Sequence, residues 1–152
     1  MCGIVGIVGK LNACKIALNV LKNLEYRGYY SAGLYYLKKN HIDTIKALGK
    51  LNKLNSKFEV LEEEIKDVSI AIGHTRWATH GKVLLENTHP ILSENVAVVH
   101  NGIIENHDQI RLELKEKNVV FETTTDTEVI PHLLNISMKK TNNFFDACVS
   151  VV

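Results

Sequence analysis

Proline is scarce in this chain, two residues in 152, so long Pro-rich linkers are excluded. Cysteine is also scarce and odd in number, at Cys2, Cys14 and Cys148. A disulfide framework calls for even numbers and a secretory context. No C-x-x-C or His-x-x-His pair offers zinc ligands, and the spacing of His74, His80, His89 and His100 fits no zinc pattern. Free thiols in a reducing cytoplasm are therefore expected, with no metal. An excess of one charge is missing too: Lys+Arg is 18 against Asp+Glu 17, a net charge of +1. A nucleic-acid binder shows a basic excess or stripe, so no nucleic-acid partner is expected. No apolar run approaches membrane-spanning length, and the start Met1-Cys2-Gly3-Ile4-Val5-Gly6 has neither the basic region nor the long apolar core of a secretory signal. No membrane partner is expected.

What is present is an ordinary globular balance, 45% hydrophobic and 23% charged, long enough to bury one core. Residues 2–8 alternate β-branched side chains with Gly and read as a buried strand. Ala13, Ile16, Ala17, Val20, Leu21 and Leu24 recur at helical spacing behind Asn12, a candidate N-cap, and Gly28 stops the run. A hairpin is expected from 33–37 and 41–47, and a charged helix or helix pair over 51–65. Short apolar runs at 68–73 and 96–100 read as interior strands. Between them lies a long polar loop, 75–95, of a kind compact domains seldom carry without function. Residues 104–117 read as an amphipathic helix with Ile110 and Leu114 inward, and 119–121 as a short strand. Asp126 opens a helix to about Lys140, with Pro131 inside it, where a missing N–H costs about 3 kcal/mol unless the residue falls near the first turn. Asn143 is expected to cap a last helix. This mixture predicts an α+β fold rather than a doubly wound parallel sheet.

Chemistry concentrates first at Cys2. The side chain is small, so Met1 is removable, which leaves an α-amine on the same residue as the thiol. An α-amine titrates at about 7.7–8.0, close enough to neutrality to act as a general base. A thiol beside it is an activated nucleophile. The plain alternative is a small buried hydrophobe. Three further segments stand at predicted element ends: Gly73-His74-Thr75-Arg76-Trp77-Ala78-Thr79-His80-Gly81, His100-Asn101-Gly102-Ile103-Ile104, and Thr125-Asp126-Thr127-Glu128-Val129-Ile130.

Together with Met1-Cys2-Gly3-Ile4-Val5-Gly6 and Arg27-Gly28-Tyr29-Tyr30-Ser31-Ala32-Gly33, these motifs resemble the class II glutamine amidotransferases. Within that group they resemble the glutaminase domain of the branch that aminates fructose 6-phosphate. The resemblance covers nearly the whole chain. It implies an N-terminal-nucleophile αββα glutaminase fold spanning 1–152 as the first part of a type-2 glutamine amidotransferase domain. It implies L-glutamine as substrate, a γ-glutamyl thioester on Cys2, and no cofactor. Asn101 and Gly102 would supply the oxyanion hole, whose donors are typically each worth about 10²–10³ in rate. Arg76 would fork the glutamine carboxylate and Asp126 would accept from its ammonium, with Thr79 and His80 lining the same site. Trp77 would lie on the loop that closes over glutamine and gates ammonia. Arg27 and Gly28 would brace the first strand.

Each residue also has a plainer reading. Asn-Gly makes tight turns, Asp126 suits a helix N-cap, Arg76 suits solvent, and a lone Trp is ordinarily core. The wording departs from the family at Tyr30, where an acidic residue is usual, at Thr124, usually Glu, and at Val83-Leu84-Leu85, usually more polar. The family domain runs further than this chain and is followed by a sugar-phosphate isomerase domain that receives the ammonia. The second sheet is therefore expected to be incomplete, and the exposed apolar surface to favour self-association. A non-catalytic binding module, or the glutaminase half of another class II amidotransferase, are the alternatives.

Overall fold

A computed structural model describes residues 2–9, 11–39, 41–77, 82–141 and 143–151. Six strands and five helices are described: β1 (Gly3–Val8), α1 (Ala13–Leu24), β2 (Ser31–Lys38), β3 (His41–Leu48), α2 (Leu51–Ile65), β4 (Ile70–Arg76), β5 (Ile91–Ser93), β6 (Val96–Val98), α3 (His107–Glu116), α4 (Val129–Thr141) and α5 (Phe144–Val151). One-turn 3₁₀ segments at Glu25–Arg27 and Asp126–Glu128 follow α1 and precede α4. The first four strands form one antiparallel sheet in the order β1-β4-β2-β3, and β5 pairs with β6 in a second.

Period-two alternation gives the larger sheet two unlike faces. Val5, Leu34, Tyr36, Ile45, Ala47 and Ala71 point to one face and are buried against α1 and α2. The other face carries polar residues and meets segments flanking β5 and β6: His74 Nε2 lies 3.2 Å from the His100 carbonyl. Helix α4 packs on both strands of the second sheet. The layers run helix, sheet, sheet, helix. Leu18, Leu21, Leu34 and Leu54 are at most 1% exposed, and each such side chain contributes about 1.5–3 kcal/mol.

Several expectations shift in detail. Strand β1 is an edge strand and is buried on one face only, with Ile4 41% and Val8 78% exposed. The buried stripe of α1 is Ala13, Cys14, Ala17, Leu18 and Leu21, rotated away from Val20. Asn12 stands at the cap position in a left-handed conformation without a side-chain cap bond. A single helix spans 51–65. The expected 75–95 loop contains β5, which pairs back on β6. The amphipathic helix begins at His107, and Leu114 is its buried residue. Residues 119–121 form no strand: Glu122 and Thr123 donate their N–H groups to the Glu128 carboxylate, and Thr124 donates to Asn87 Oδ1, so side chains replace a ladder. Pro131 is third in α4, inside the first turn, where its missing N–H is tolerated. Asn143 Oδ1 accepts from the N–H groups of Phe145 and Asp146, capping α5 as expected.

Close backbone approach brings the two layers together at Gly33. A Cβ there would collide with the His89 carbonyl oxygen and stand 3.2 Å from Pro90 Cδ. Gly33→Ala is expected to lower unfolding free energy by about 2–3 kcal/mol, the overpacking range, because carbonyl and ring are backbone-fixed. Urea titration measures it; a loss under about 0.5 kcal/mol would mean the layers slide apart freely.

Candidate active site

The β1–β4 register decides where Cys2 stands. Gly3 is opposite Thr75, so the residue before Gly3 meets the end of β4, at Arg76 and Trp77. Gly3 N–H donates to Thr75 Oγ1 at 3.2 Å, which fixes the strand end. A Cβ on Gly3 would lie 2.7 Å from both Thr75 Oγ1 and Leu24 Cβ, so the absent side chain is what permits this approach. Cys2 Sγ then accepts from the Trp77 N–H at 3.4 Å, and the Cys2 nitrogen donates to Asn101 Oδ1 at 3.1 Å. The second bond joins residues 99 positions apart. It also orients the Asn101 amide: the oxygen is committed to the Cys2 nitrogen, so the amide's N–H groups face elsewhere.

Cys2, Arg76, Trp77, His89, His100, Gly102, Thr125, Asp126 and Thr127 line one small cavity of about 20 Å³, room for a single water. A roomier cavity of about 550 Å³ lies elsewhere, walled by the Ser93–Glu94 turn, residues 117–122 and α4. No cysteine lines it; the thiol, with buried Arg76 and Asp126, stands in the smaller cavity.

Arg76 is 3% exposed, which removes the solvated-charge reading. Burial pulls its guanidinium below the ordinary value, opposed by Cys2 and Asp126 nearby. One of its N–H groups donates to the Lys82 carbonyl at 3.2 Å. Asp126 is 6% exposed and does not cap its own helix. Its Oδ2 accepts from Ile104 N–H at 2.9 Å, which ties the 3₁₀ turn before α4 to the segment just after Gly102. A buried cation and a buried anion thus share the cavity with the thiol.

Trp77 is 36% exposed, neither core nor free, and its ring lies edge-on to Tyr29 and Tyr30 at 5.3 and 5.6 Å. Gly28 is where the chain before β2 presses on the cavity's backbone: a Cβ there would stand 2.6–2.8 Å from the Arg76 carbonyl and Trp77 nitrogen. Arg27 lies beside it, its guanidinium 6.0 Å from the Tyr26 ring centre. Thr79 and His80 lie outside the described residues. Cys14 is buried, and burial pushes its thiol up to about 12, which leaves it inert.

Sequence reading missed the histidine and threonine support. His74 and His89 stack with ring centres 4.4 Å apart. His74 Nε2 donates to the His100 carbonyl, so its Nδ1 is the bare nitrogen of a neutral ring. Thr127 Oγ1 lies 3.1 Å from His89 Nε2, 3.2 Å from His100 Nδ1 and 3.5 Å from Asp126 Oδ1, and so joins three cavity residues. Glu128 is 1% exposed. It accepts from Glu122, Thr123 and the Thr123 hydroxyl and holds residues 122–123. Its location before an apolar run was a capping-type signal, but the donors it meets precede it in the chain. Among the described residues, no group of three or more His, Cys, Asp or Glu is arranged to hold a metal ion, and no helix is long and apolar enough to cross a membrane.

The helix–sheet–sheet–helix layering is that of the N-terminal-nucleophile amidotransferases, as the comparisons show. Residues 74–149 match the family described as a glutamine amidotransferase domain, and the chain belongs to that family. Among curated proteins it is similar to the glutamine–fructose-6-phosphate aminotransferases [isomerizing] of Helicobacter pylori, 47% identical over 97% of this chain and 24% of the relative, and of Haemophilus influenzae, 46% identical over 100% and 25%. The chain spans about a quarter of the length of these relatives. Among solved structures it is similar to glutamine phosphoribosylpyrophosphate amidotransferase from B. subtilis, complexed there with ADP and GMP (TM-score 0.78, 29% identity, 97% of this chain and 31% of that one). A structure titled as the allosteric regulatory enzyme of purine biosynthesis gives a TM-score of 0.80 at 30% identity, again over 97% of this chain and 31% of that one.

Burial lowers His74 to about 4 and His89 to about 2. In the unfolded chain both bind a proton near 6.5, so the unfolded state holds more protons below that pH and stability falls as pH drops from about 6.5. The loss between pH 7 and pH 5 is expected to be about 2–4 kcal/mol by urea unfolding. Nitrogen NMR of the folded chain should show both rings neutral at pH 5; a ring titrating near 6.5 would contradict their burial.

Proposed function

We propose that this chain, beginning at Cys2 after loss of Met1, hydrolyses L-glutamine to glutamate and ammonia. The observation that carries the reading is the Cys2 nitrogen on Asn101 Oδ1 at 3.1 Å. With Met1 gone that nitrogen is the α-amine. A donated N–H holds the amine in place and leaves its lone pair for the thiol proton. The thiolate attacks the glutamine amide carbon, and the oxyanion meets the Asn101 amide N–H and Gly102 N–H. Return of the proton from the α-ammonium to the departing nitrogen releases ammonia and leaves a γ-glutamyl thioester. Water, deprotonated by the same amine, then attacks the thioester carbon; the thiol re-forms and glutamate leaves.

In this reading Arg76 forks the glutamine carboxylate and Asp126 accepts from its ammonium, with Thr79 and His80 completing the lining. Both charges are buried, which raises their worth relative to water. The cavity holds about one water, so glutamine entry requires its wall to open at the Trp77 side, as in lid-gated sites. Arg27 and Gly28 brace the first strand against that wall.

We further propose that the ammonia serves glucosamine 6-phosphate formation from fructose 6-phosphate in a sugar-phosphate isomerase domain, in the cytoplasm. Identities of 46–47% to the fructose-6-phosphate enzymes, against 29% to the phosphoribosylpyrophosphate amidotransferase, support that acceptor. Exposed Val120, Phe144, Phe145 and Val149 support self-association.

Intact mass of the active protein is expected to lack Met1, and a chain that retains Met1 should release no ammonia from glutamine; full turnover with Met1 retained would rule out the amine as base. Asn101→Ala is expected to slow ammonia release by about 10²–10³ while glutamine KM changes little. An unchanged rate would remove Asn101 from the oxyanion site.

A further inference from the structure

Among the described residues the β4 pairing ends at Arg76, and the N–H of the next residue points at Cys2 Sγ. The segment just before β2 holds the peptide that carries this N–H. Tyr30 is fixed at both backbone ends: its N–H donates to the Arg76 carbonyl at 3.2 Å, and its carbonyl accepts from Gly49 N–H at 2.8 Å. Its ring therefore stands on an anchored backbone. That ring stacks on Tyr29 at 5.2 Å, and both rings meet Trp77 edge-on at an interplanar angle of 79°. Gly28 closes the arrangement from below, its α-carbon packed on the Arg76–Trp77 peptide.

We propose that Tyr30 is a positioning residue for the nucleophile: its ring, with Tyr29, pins Trp77 so that the Trp77 N–H stays on Cys2 Sγ. The Tyr30 N–H on the Arg76 carbonyl and the edge-to-face contacts on the indole hold the Arg76–Trp77 peptide from two sides, and that plane sets the N–H···S bond at 3.4 Å. A peptide N–H aimed at sulfur is a donor that a thiolate uses more strongly than a thiol. Tyr30 does not itself line the cavity but contacts Arg76 and Trp77, which do, so it acts through them. The inference rests on the glutaminase reading for its kinetic part and on geometry alone for the rest.

Three variants separate the ring from the hydroxyl and from the fold. Tyr30 is 37% exposed and its two anchoring bonds belong to the backbone, so Tyr30→Ala removes the ring and keeps the anchors. Trp77 is the single tryptophan of the chain, so fluorescence reports on it without ambiguity. Acrylamide quenching of Trp77 is expected to rise about two-fold in Tyr30→Ala and Tyr30→Asp and to stay at the parent value in Tyr30→Phe, which keeps the edge-to-face pair. In the same series kcat for glutamine is expected to fall about ten-fold with KM within two-fold, a misplacement signature, and Tyr30→Phe should restore it. Unchanged quenching in Tyr30→Ala, unchanged kcat, or a raised KM with kcat retained would each overturn the proposal. If the parent chain turns over no glutamine, the glutaminase reading fails separately. The pinning is then read by iodoacetamide alkylation of Cys2, expected to slow about three-fold in Tyr30→Ala and not in Tyr30→Phe, and contradicted by equal rates.

Discussion

Pairing of β1 with β4 is the constraint on which the site depends. The strands are antiparallel, and with Gly3 opposite Thr75 the residue before β1 can only arrive beside Arg76 and Trp77. A one-residue slip would turn Val5 out of the core and carry Cys2 to the wrong face, so burial of one face protects the register. Glycine at 3, 28, 33 and 73 serves this geometry through close approach: Gly3 to Leu24 and Thr75, Gly28 to the Arg76–Trp77 peptide, Gly33 to the His89 carbonyl, and Gly73 to Leu21, Leu34 and Val5.

The second face of the same sheet explains why the site is polar yet buried. Arg76, Asp126, Thr125, Thr127, Glu128, His74, His89 and Asn87 are all at most 6% exposed. Leaving such a group unsatisfied costs about 1–3 kcal/mol, so the layer is stable only as a connected network. Asn87 shows the pattern: its amide nitrogen donates to the Lys82 carbonyl and Thr124 Oγ1, and its oxygen accepts from Thr124 N–H. Burial pushes the Glu128 carboxyl up, but His132 and the donors from residues 122 and 123 outweigh it, so its pKa lies below the usual carboxylate range. A lattice of this kind holds Arg76 and Asp126 at fixed positions before any ligand arrives, which is what preorganised binding of a zwitterionic amino acid requires.

Much of this was legible in the residues. Helical spacing marked α1, α2 and α4, and the strand-end location of the His-Thr-Arg-Trp and His-Asn-Gly segments foretold residues that meet in space. Cys2 stood out by its own chemistry, and Arg76, Asn101, Gly102 and Asp126 by the resemblance of their motifs to the class II glutamine amidotransferases. The rest depended on contacts that periodicity does not encode. Residues 119–121 look like a strand because Val119, Val120 and Phe121 are β-formers, yet the N–H groups of the residues that follow find side-chain acceptors 5–37 residues away. Strand β5 hid in a polar stretch because three residues carry too little pattern. Nothing in the sequence pattern marks Thr127, and only the folded layers bring its hydroxyl to His89 and His100.

The central claim is that the fold singles out one thiol of three by holding it beside the buried Arg76 and Asp126. Peptide mapping after exposure to an electrophilic glutamine analogue tests that claim most directly. The account predicts modification at Cys2 alone, suppressed by excess L-glutamine, with the buried Cys14 and the α5 residue Cys148 untouched. Equal modification of all three cysteines, or labelling of Cys2 that glutamine does not protect, would contradict it.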